Sequence, residues 1–246
     1  MTDVDVIVLD LDGGAMLEAC LASIAAQTVQ PRTVIVFDNG SQTPTRNATA
    51  RSERNLGFAR GANAAVKHAS APFVALINND VVLDRDWLQT VREAMDPGTA
   101  AVQTILRTES GDVDGAGIDI SNGTYRQTKG GNAWGVSATA TLYRRELLHF
   151  DERFFAYYED VELCARLQEG GWQTRVVQAI KATHKGSQSA KHVKARYLRT
   201  RNRYWVARLH PGIGSIKALL WEDGKLLLRG RSSLRGMIAG LCSRLS

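Results

Sequence analysis

Two hydrophobic periods alternate near the start of this chain and constrain its fold more than any other feature. Val4-Asp5-Val6-Ile7-Val8-Leu9 is a short, β-branched and almost uninterrupted apolar run, as expected of a strand covered on both faces. Ala15 to Ala26 then sets Met16, Leu17, Cys20, Leu21 and Ile24 at helical spacing, and Thr33 to Phe37 returns to a strand. A strand, helix and strand of this length predict adjacent parallel strands joined by a right-handed crossover. The pattern continues with a helix near Phe58 to Ala69, a strand Phe73 to Ile77, a helix from Arg85 to Met95 and a strand Ala100 to Leu106. The expected class is α/β, a mostly parallel sheet flanked by helices.

From Arg107 to Trp134 the text turns to Gly, Asp, Ser, Asn and Thr, which predicts hairpins or a surface excursion. Regularity returns at Ala138 to Tyr143, followed by a helix from Asp160 to Glu169 closed by Gly170-Gly171 and a strand Gln173 to Val177. Beyond Ser189 the pattern is helical: a basic segment to Leu209, a break at His210-Pro211-Gly212, then Ile213 to Leu228 and Leu234 to Leu245. We expect an α/β domain over residues 1–189 and a basic amphipathic helical extension over 190–246.

Composition removes other classes. With 44% hydrophobic residues in 246, a sizeable core is affordable in one domain, and no apolar run reaches the roughly 18 residues of a membrane span. The acidic start, Met1 to Asp5, lacks the basic and apolar parts of a secretory signal, so a cytosolic protein is expected. Three cysteines, Cys20, Cys164 and Cys242, are an odd number in apolar helical settings and read as reduced core residues. The net charge of +6 is concentrated in Lys191, Lys194, Arg196, Arg199, Arg201, Arg203 and Arg208. Such a stripe fits a nucleotide, a nucleic acid or an anionic membrane surface, or simply a solvated helix face.

In an open parallel sheet, ligands bind beyond the carboxyl ends of the strands. Acids stand at three predicted ends: Asp10 and Asp12, Asp38, and Asp80. Asp38-Asn39-Gly40-Ser41 can accept hydrogen bonds from a base or ribose, or can simply form a turn. Asp80, in Asn78-Asn79-Asp80, offers oxygen to a hard cation or caps a loop. His184, in a loop after a strand, is either a second ligand suited to Mn2+ or a hydrogen-bonding loop residue. Phe154-Phe155-Ala156-Tyr157-Tyr158-Glu159-Asp160 sets four aromatics against two carboxylates at a predicted helix start. That is a helix cap, or an aromatic wall that binds a sugar beside a base for its hydroxyl.

Read together, these strings resemble the family 2 glycosyltransferases, inverting enzymes of the A-type glycosyltransferase fold, and specifically their bacterial rhamnosyltransferase-like branch. The resemblance spans nearly the whole chain and rests on Asp38 to Ser41, Asn55-Leu56-Gly57-Phe58-Ala59-Arg60-Gly61-Ala62-Asn63, Asn78-Asn79-Asp80-Val81, Leu142-Tyr143-Arg144-Arg145-Glu146, Phe154 to Asp160, and His184 with Gly186 and Ser189. It implies a donor site at Asp10, Asp12, Asp38, Asn55, Gly57, Arg60, Asn78 and Asn79, with Arg60 on the diphosphate. It also implies a divalent cation, Mn2+ or Mg2+, on Asp80 and His184. Asp160 would be the general base, and Trp134, Tyr157, Tyr158 and Glu159 would line the acceptor or sugar pocket. The implied donor is a nucleotide-diphosphate sugar, dTDP- or UDP-linked ahead of GDP-linked, carrying rhamnose or another hexose. The implied acceptor is a saccharide or lipid-linked molecule in cell-surface polysaccharide synthesis, reached at the cytoplasmic membrane face.

The chain departs from the family pattern where Asp10-Leu11-Asp12 replaces Asn-Tyr-Asn and where Ala138-Thr139-Ala140-Thr141 replaces a Gly-Ala string. A nucleotidyltransferase is the alternative enzyme, but Gly13-Gly14 has no nearby Lys to make a phosphate loop. A nucleic-acid-binding protein using residues 191–208, with Tyr197, Tyr204 and Trp205 interleaved, is the non-enzymatic alternative, and it leaves the strand-end acids unexplained. An inactive relative is a further reading of the Asp10-Leu11-Asp12 departure.

Overall fold

The computed structural model describes residues 2–121, 124–186, 193–228 and 232–243. Ser187, Ser189, Lys191, the side chain of Lys194 and the expected boundary at 189/190 lie outside what is described. The chain runs β1 (Val4–Asp10), α1 (Ala15–Ala25), β2 (Thr33–Asp38), β3 (Ala50–Arg51), α2 (Phe58–Val66), β4 (Phe73–Asn78), β5 (Val81–Leu83), α3 (Trp87–Glu93), β6 (Thr99–Arg107), β7 (Val113–Gly115), β8 (Ile118–Ser121), β9 (Thr124–Gln127), β10 (Ala140–Arg144), α4 (Glu159–Glu169), β11 (Gln173–His184), α5 (Val193–Leu209), α6 (Ile216–Leu228) and α7 (Leu234–Cys242). Among the described residues, the main sheet has the order β3-β2-β1-β4-β10-β6-β11-β5, with β7 added on β6. β1 is parallel to β2 and β4, and β11 is parallel to β6, while β10 runs antiparallel between β4 and β6.

The apolar run of β1 is continuous because both its faces are covered. Val4, Val6 and Val8 pack with Leu17, Cys20 and Ile24 of α1 and with Trp87 and Leu88 of α3, whereas Ile7 and Leu9 pack with Ala59, Ala62 and Ala65 of α2 and Leu163 of α4. Side chains alternate along a strand, so one run serves two cores. Asp5, its polar interruption, is wholly buried and accepts from Arg32 at 3.0 and 2.8 Å and from the backbone N–H groups of Ser70 and Ala71, each at 2.8 Å. Burial works against its charge, yet these donors outweigh it and hold the carboxyl below its ordinary pKa.

The α/β class and the parallel β1/β2 crossover are as expected, and three details differ. The strand expected over Gln173 to Val177 continues to His184, through register shifts between Val177 and Ile180 and between Ile180 and Ala182. Such bulges break the two-residue pattern that would signal a strand in sequence. Cys20 and Cys164 are buried as expected, but Cys242, at the end of α7, is exposed. The helical extension is also part of the core: Trp205 and Val206 of α5 join Phe154, Val161, Ile118 and Tyr125 in one cluster. α6 and α7 dock on α5 through Leu219 and Met237.

Candidate active site

The parallel register brings the predicted acids to one edge. Asp10 pairs with Asp38 across β1 and β2, and Leu9 pairs with Asn78 across β1 and β4. Asp10 is buried; its Oδ1 accepts from Asn79 Nδ2 at 2.6 Å and Gly13 N at 3.2 Å, and its Oδ2 accepts from the Thr45 hydroxyl at 2.5 Å. Asp38 is equally buried and accepts from the N–H groups of Gly40, Ser41 and Thr45, with Arg51 at 3.3 Å. Burial opposes its charge, but these donors prevail and lower its pKa. Both carboxylates therefore organise the turns of this edge, while Asp12, exposed at φ 53°, accepts from Gln42 N at 2.7 Å.

The Asn55 to Asn63 block is tied to the same edge. Asn39 donates from its amide to Gly57 O at 3.0 Å and accepts from Leu56 N at 3.2 Å, and Asn55 Oδ1 accepts from Gly57 N at 2.8 Å. Gly57 has φ 81°, and a Cβ there would lie 2.3 Å from Phe155 O, so only glycine permits the approach. Phe58 N donates to that carbonyl at 2.6 Å, which joins the start of α2 to the aromatic segment before α4. Arg60 faces outward instead and pairs with the exposed Glu152 at 3.3 Å.

A backbone register also assembles the pair proposed for a cation. His184, the last residue of β11, stands opposite Val81 of β5, which sets it against Asp80. Its Nε2 lies 3.2 Å from Asp80 Oδ2, and its Nδ1 lies 2.6 Å from Asp114 Oδ2 on β7. Burial disfavours the imidazolium, yet the two carboxylates outweigh it and push its pKa up to about 9. Asp80 Oδ1 is buried without a hydrogen-bond partner. A carboxylate oxygen with no donor, beside an imidazole whose far nitrogen is held by a second carboxylate, fits a divalent cation. Among the described residues no group of three or more His, Cys, Asp or Glu side chains is arranged to hold a metal ion.

The residues between Trp134 and β10 link this pair to the proposed base. Thr139 O accepts from Asn78 N at 2.9 Å, while one residue earlier Ala138 N donates to Asp160 Oδ2 at 3.4 Å. Asp160 is half-buried in the first turn of α4, where the helix dipole favours an anion. Burial nonetheless raises its pKa, and burial together with the Asp160 charge raises that of Glu159 well above the carboxylate range. Glu159 Oε2 is buried with no partner. Burial thus works against charge on both members of the pair, and on Glu159 more strongly than on Asp160. Trp134 packs its ring between two hydrophobic clusters, and its carbonyl accepts from Gln168 and Thr174.

The turn into α4 is strained, and α5 holds it. Tyr157 and Tyr158 have φ 70° and 71°, a left-handed conformation that costs an L-residue roughly 1–2 kcal/mol each. Asn202 of α5 donates from one amide nitrogen to Ala156 O at 2.9 Å and Tyr157 O at 2.6 Å, and the Arg199 guanidinium lies 4.4 Å from the Tyr157 ring centre. Tyr158 packs edge-on against Tyr125. The basic stripe is largely absorbed in this way: Arg201 covers Trp205, Arg203 pairs with Asp223, and Arg208 donates to Gly240 O and Ser243 O. Tyr204 and Trp205 are buried and offer no stacking platform to a nucleic acid. Sequence reasoning did not assign roles to Asp114 or Asn202. Asn202 stands between two arginines of the basic stripe, whereas Asp114 lies in a polar excursion that carries no motif.

Known proteins place the sequence and the fold. The model of "Glycosyl transferase family 2" matches residues 6–150. An N-acetylglucosaminyl-diphospho-decaprenol L-rhamnosyltransferase of Mycobacterium tuberculosis is 26% identical, over 96% of this chain and 95% of its own. The O-antigen biosynthesis protein RfbC of Myxococcus xanthus is 27% identical over 76% of this chain, which spans 17% of that protein. Among solved structures, a mannosyltransferase from Pyrobaculum calidifontis in complex with GDP-Man and Mn2+ superposes with a TM-score of 0.61 at 18% identity, covering 97% of this chain and 85% of that one. S. aureus TarS gives 0.58 at 19% identity, covering 99% of this chain and 46% of that one. The sheet order, the carboxyl-edge acids and the matched sequence have one common account: this chain has the A-type glycosyltransferase fold and belongs to glycosyl transferase family 2.

Proposed function

We propose that this glycosyltransferase moves a sugar, rhamnose first among the candidates, from a dTDP- or UDP-linked donor to a lipid-linked saccharide in cell-envelope polysaccharide synthesis, with inversion. The carrying observation is that Ala138 and Thr139, adjacent in sequence, touch Asp160 on one side and the Asn78 strand end on the other. A base and a leaving-group site flanking one short segment suit a single displacement. The similarity to the mycobacterial rhamnosyltransferase supports the choice of sugar and acceptor.

In this reading Asp160 accepts the proton of the acceptor hydroxyl as its oxygen bonds to the anomeric carbon, and the bond to the nucleotide diphosphate breaks on the opposite face. The raised pKa makes the Asp160 carboxylate a better proton acceptor than that of an ordinary aspartate. Tyr157 and Tyr158, held at the entry to α4, wall the acceptor side. Asp80 and His184 would hold the divalent cation, which when bound offsets charge on the departing diphosphate. Arg60 can turn to the same diphosphate by leaving Glu152, because an exposed pair of this kind is worth about 0–1 kcal/mol.

Calorimetric titration with UDP, dTDP and GDP, with and without Mn2+, tests the donor side. The expected result is metal-dependent binding of dTDP or UDP that Asp80→Ala abolishes. Binding that ignores both metal and Asp80→Ala removes the cation assignment, and binding of GDP alone removes the donor assignment.

A further inference from the structure

The last helices are apolar on their outward faces as well as on the inward faces that pack on α5. α6 turns Lys217, Leu220, Trp221, Gly224, Lys225 and Leu228 to solvent, a spacing of three and four residues that traces one stripe along the helix. Trp221 is 69% exposed and Leu228 91%. α7 does the same with Leu234, Arg235, Ile238 and Cys242, while Gly236, Met237 and Gly240 face inward. Close packing explains the inward glycines, since a Cβ on Gly240 would lie 2.6 Å from Tyr204. The exposed apolar residues are thus not surplus from a loosely packed core.

Charge decides what the stripes suit. The two acids of α6 are used internally: Asp223 is buried with Arg203 and Ser232, and Glu222 pairs with Arg126 of β9. Neither stripe exposes an acid, and together they expose three basic groups, Lys217, Lys225 and Arg235. Lys225 sits with its ammonium 4.5 Å from the Trp221 ring centre, so the charge lies over the aromatic body. Trp and Leu interleaved with Lys and Arg, with no negative charge, is the chemistry of a helix lying at a lipid headgroup boundary. A nucleic acid would use the basic groups and leave Leu228, Leu234 and Ile238 without a role. No helix among the described residues is long and apolar enough to cross a membrane, so the contact is interfacial.

We propose that the outward stripes of α6 and α7 dock this enzyme on an anionic lipid surface. The inference rests on the lipid-linked acceptor reading for its purpose and gives that reading a surface. It also relocates the lipid contact from the basic stripe of α5, whose arginines hold the active-site turn and the helix bundle, to the two helices that follow.

Co-sedimentation tests it, using phosphatidylcholine vesicles and vesicles with about one third phosphatidylglycerol. The expected result is at least about tenfold tighter binding to the anionic vesicles. Trp221→Glu with Leu228→Glu should weaken that binding by roughly tenfold or more. Lys217→Glu with Lys225→Glu and Arg235→Glu should weaken it by roughly a hundredfold. All five positions are exposed, and circular dichroism should show both variants folded. Transfer to a water-soluble acceptor analogue, measured in parallel, should be unchanged. Equal vesicle binding by wild type and both variants, or none by wild type, overturns the proposal. A dimer that the Trp221 and Leu228 changes split, with vesicle binding unaltered, also overturns it and makes the face a contact between copies. Vesicle binding that behaves as expected without any transfer supports the docking face while overturning the acceptor reading.

Discussion

Asp5 and Glu159 are buried carboxylates on the same α/β body, with the half-buried Asp160 beside Glu159, and the two sites are treated in opposite ways. Asp5 stands near the start of β1, where every neighbour is a donor: Arg32 and two backbone N–H groups. Its pKa falls despite burial, and the charge stabilises the fold. At the other edge Glu159 has an oxygen with no donor and a like charge beside it, and both members of the pair are pushed upward. A carboxylate fully supplied with donors is a poor base. One whose burial outweighs its donors, as at Asp160 with the N–H groups of Val161 and Ala138, costs stability and takes a proton more readily.

The comparison breaks most sharply at Asp160. Asp160→Asn should lower kcat by about a thousandfold, the scale of a general base, with thermal stability unchanged or raised; steady-state kinetics and calorimetry on one preparation check both halves. Retained turnover would remove Asp160 from its role. Asp5→Ala should do the reverse, lowering stability by about 3 kcal/mol as its backbone donors lose their acceptor, with kcat intact. Because the folded pKa of Asp5 is lowered, its contribution is complete above the unfolded value near about 4 and disappears as pH falls through the folded value. Denaturation of wild type and Asp5→Ala should therefore converge in acid, and a gap that persists there would contradict the assignment.

Two smaller effects sharpen the contrast at the carboxyl edge. Asp114→Asn removes the charge that orients His184 and should weaken Mn2+ binding by about 10–100-fold, read by calorimetry. An unchanged affinity would make Asp114 a spectator. Asn202→Asp keeps the side chain's shape but removes the N–H groups that hold the Tyr157 turn. It should lower kcat by about tenfold, the scale of one lost hydrogen bond, with donor binding unaffected. A fall in donor affinity instead would place Asn202 in the fold of the donor loop rather than behind the base.

Much of this arrangement was legible in one dimension. The strand periods of Val4 to Leu9 and Phe73 to Ile77 revealed the parallel sheet, and with it the edge where Asp10, Asp38 and Asp80 emerge. Asp160 was visible because it stands in an aromatic string at a helix start. What escaped were relations between distant segments. His184 reaches Asp80 because a bulged strand runs seven residues past Val177, its expected end, and Asp114 reaches His184 from 70 residues away. Arginines that looked like a solvated or phosphate-binding stripe are held on Tyr157, Trp205 and Asp223.

The amino-acid sequence by itself determined the alternation of strands and helices, the edge on which the acids gather, and the family. These are local properties, set by side-chain period and by residues just after each strand. The tertiary structure alone decided which acids became structural and which kept a basic oxygen, and which face of the last helices stayed apolar in water. A carboxylate's character depends on the donors and charges that packing brings within a few ångströms, and those partners come from elsewhere in the chain.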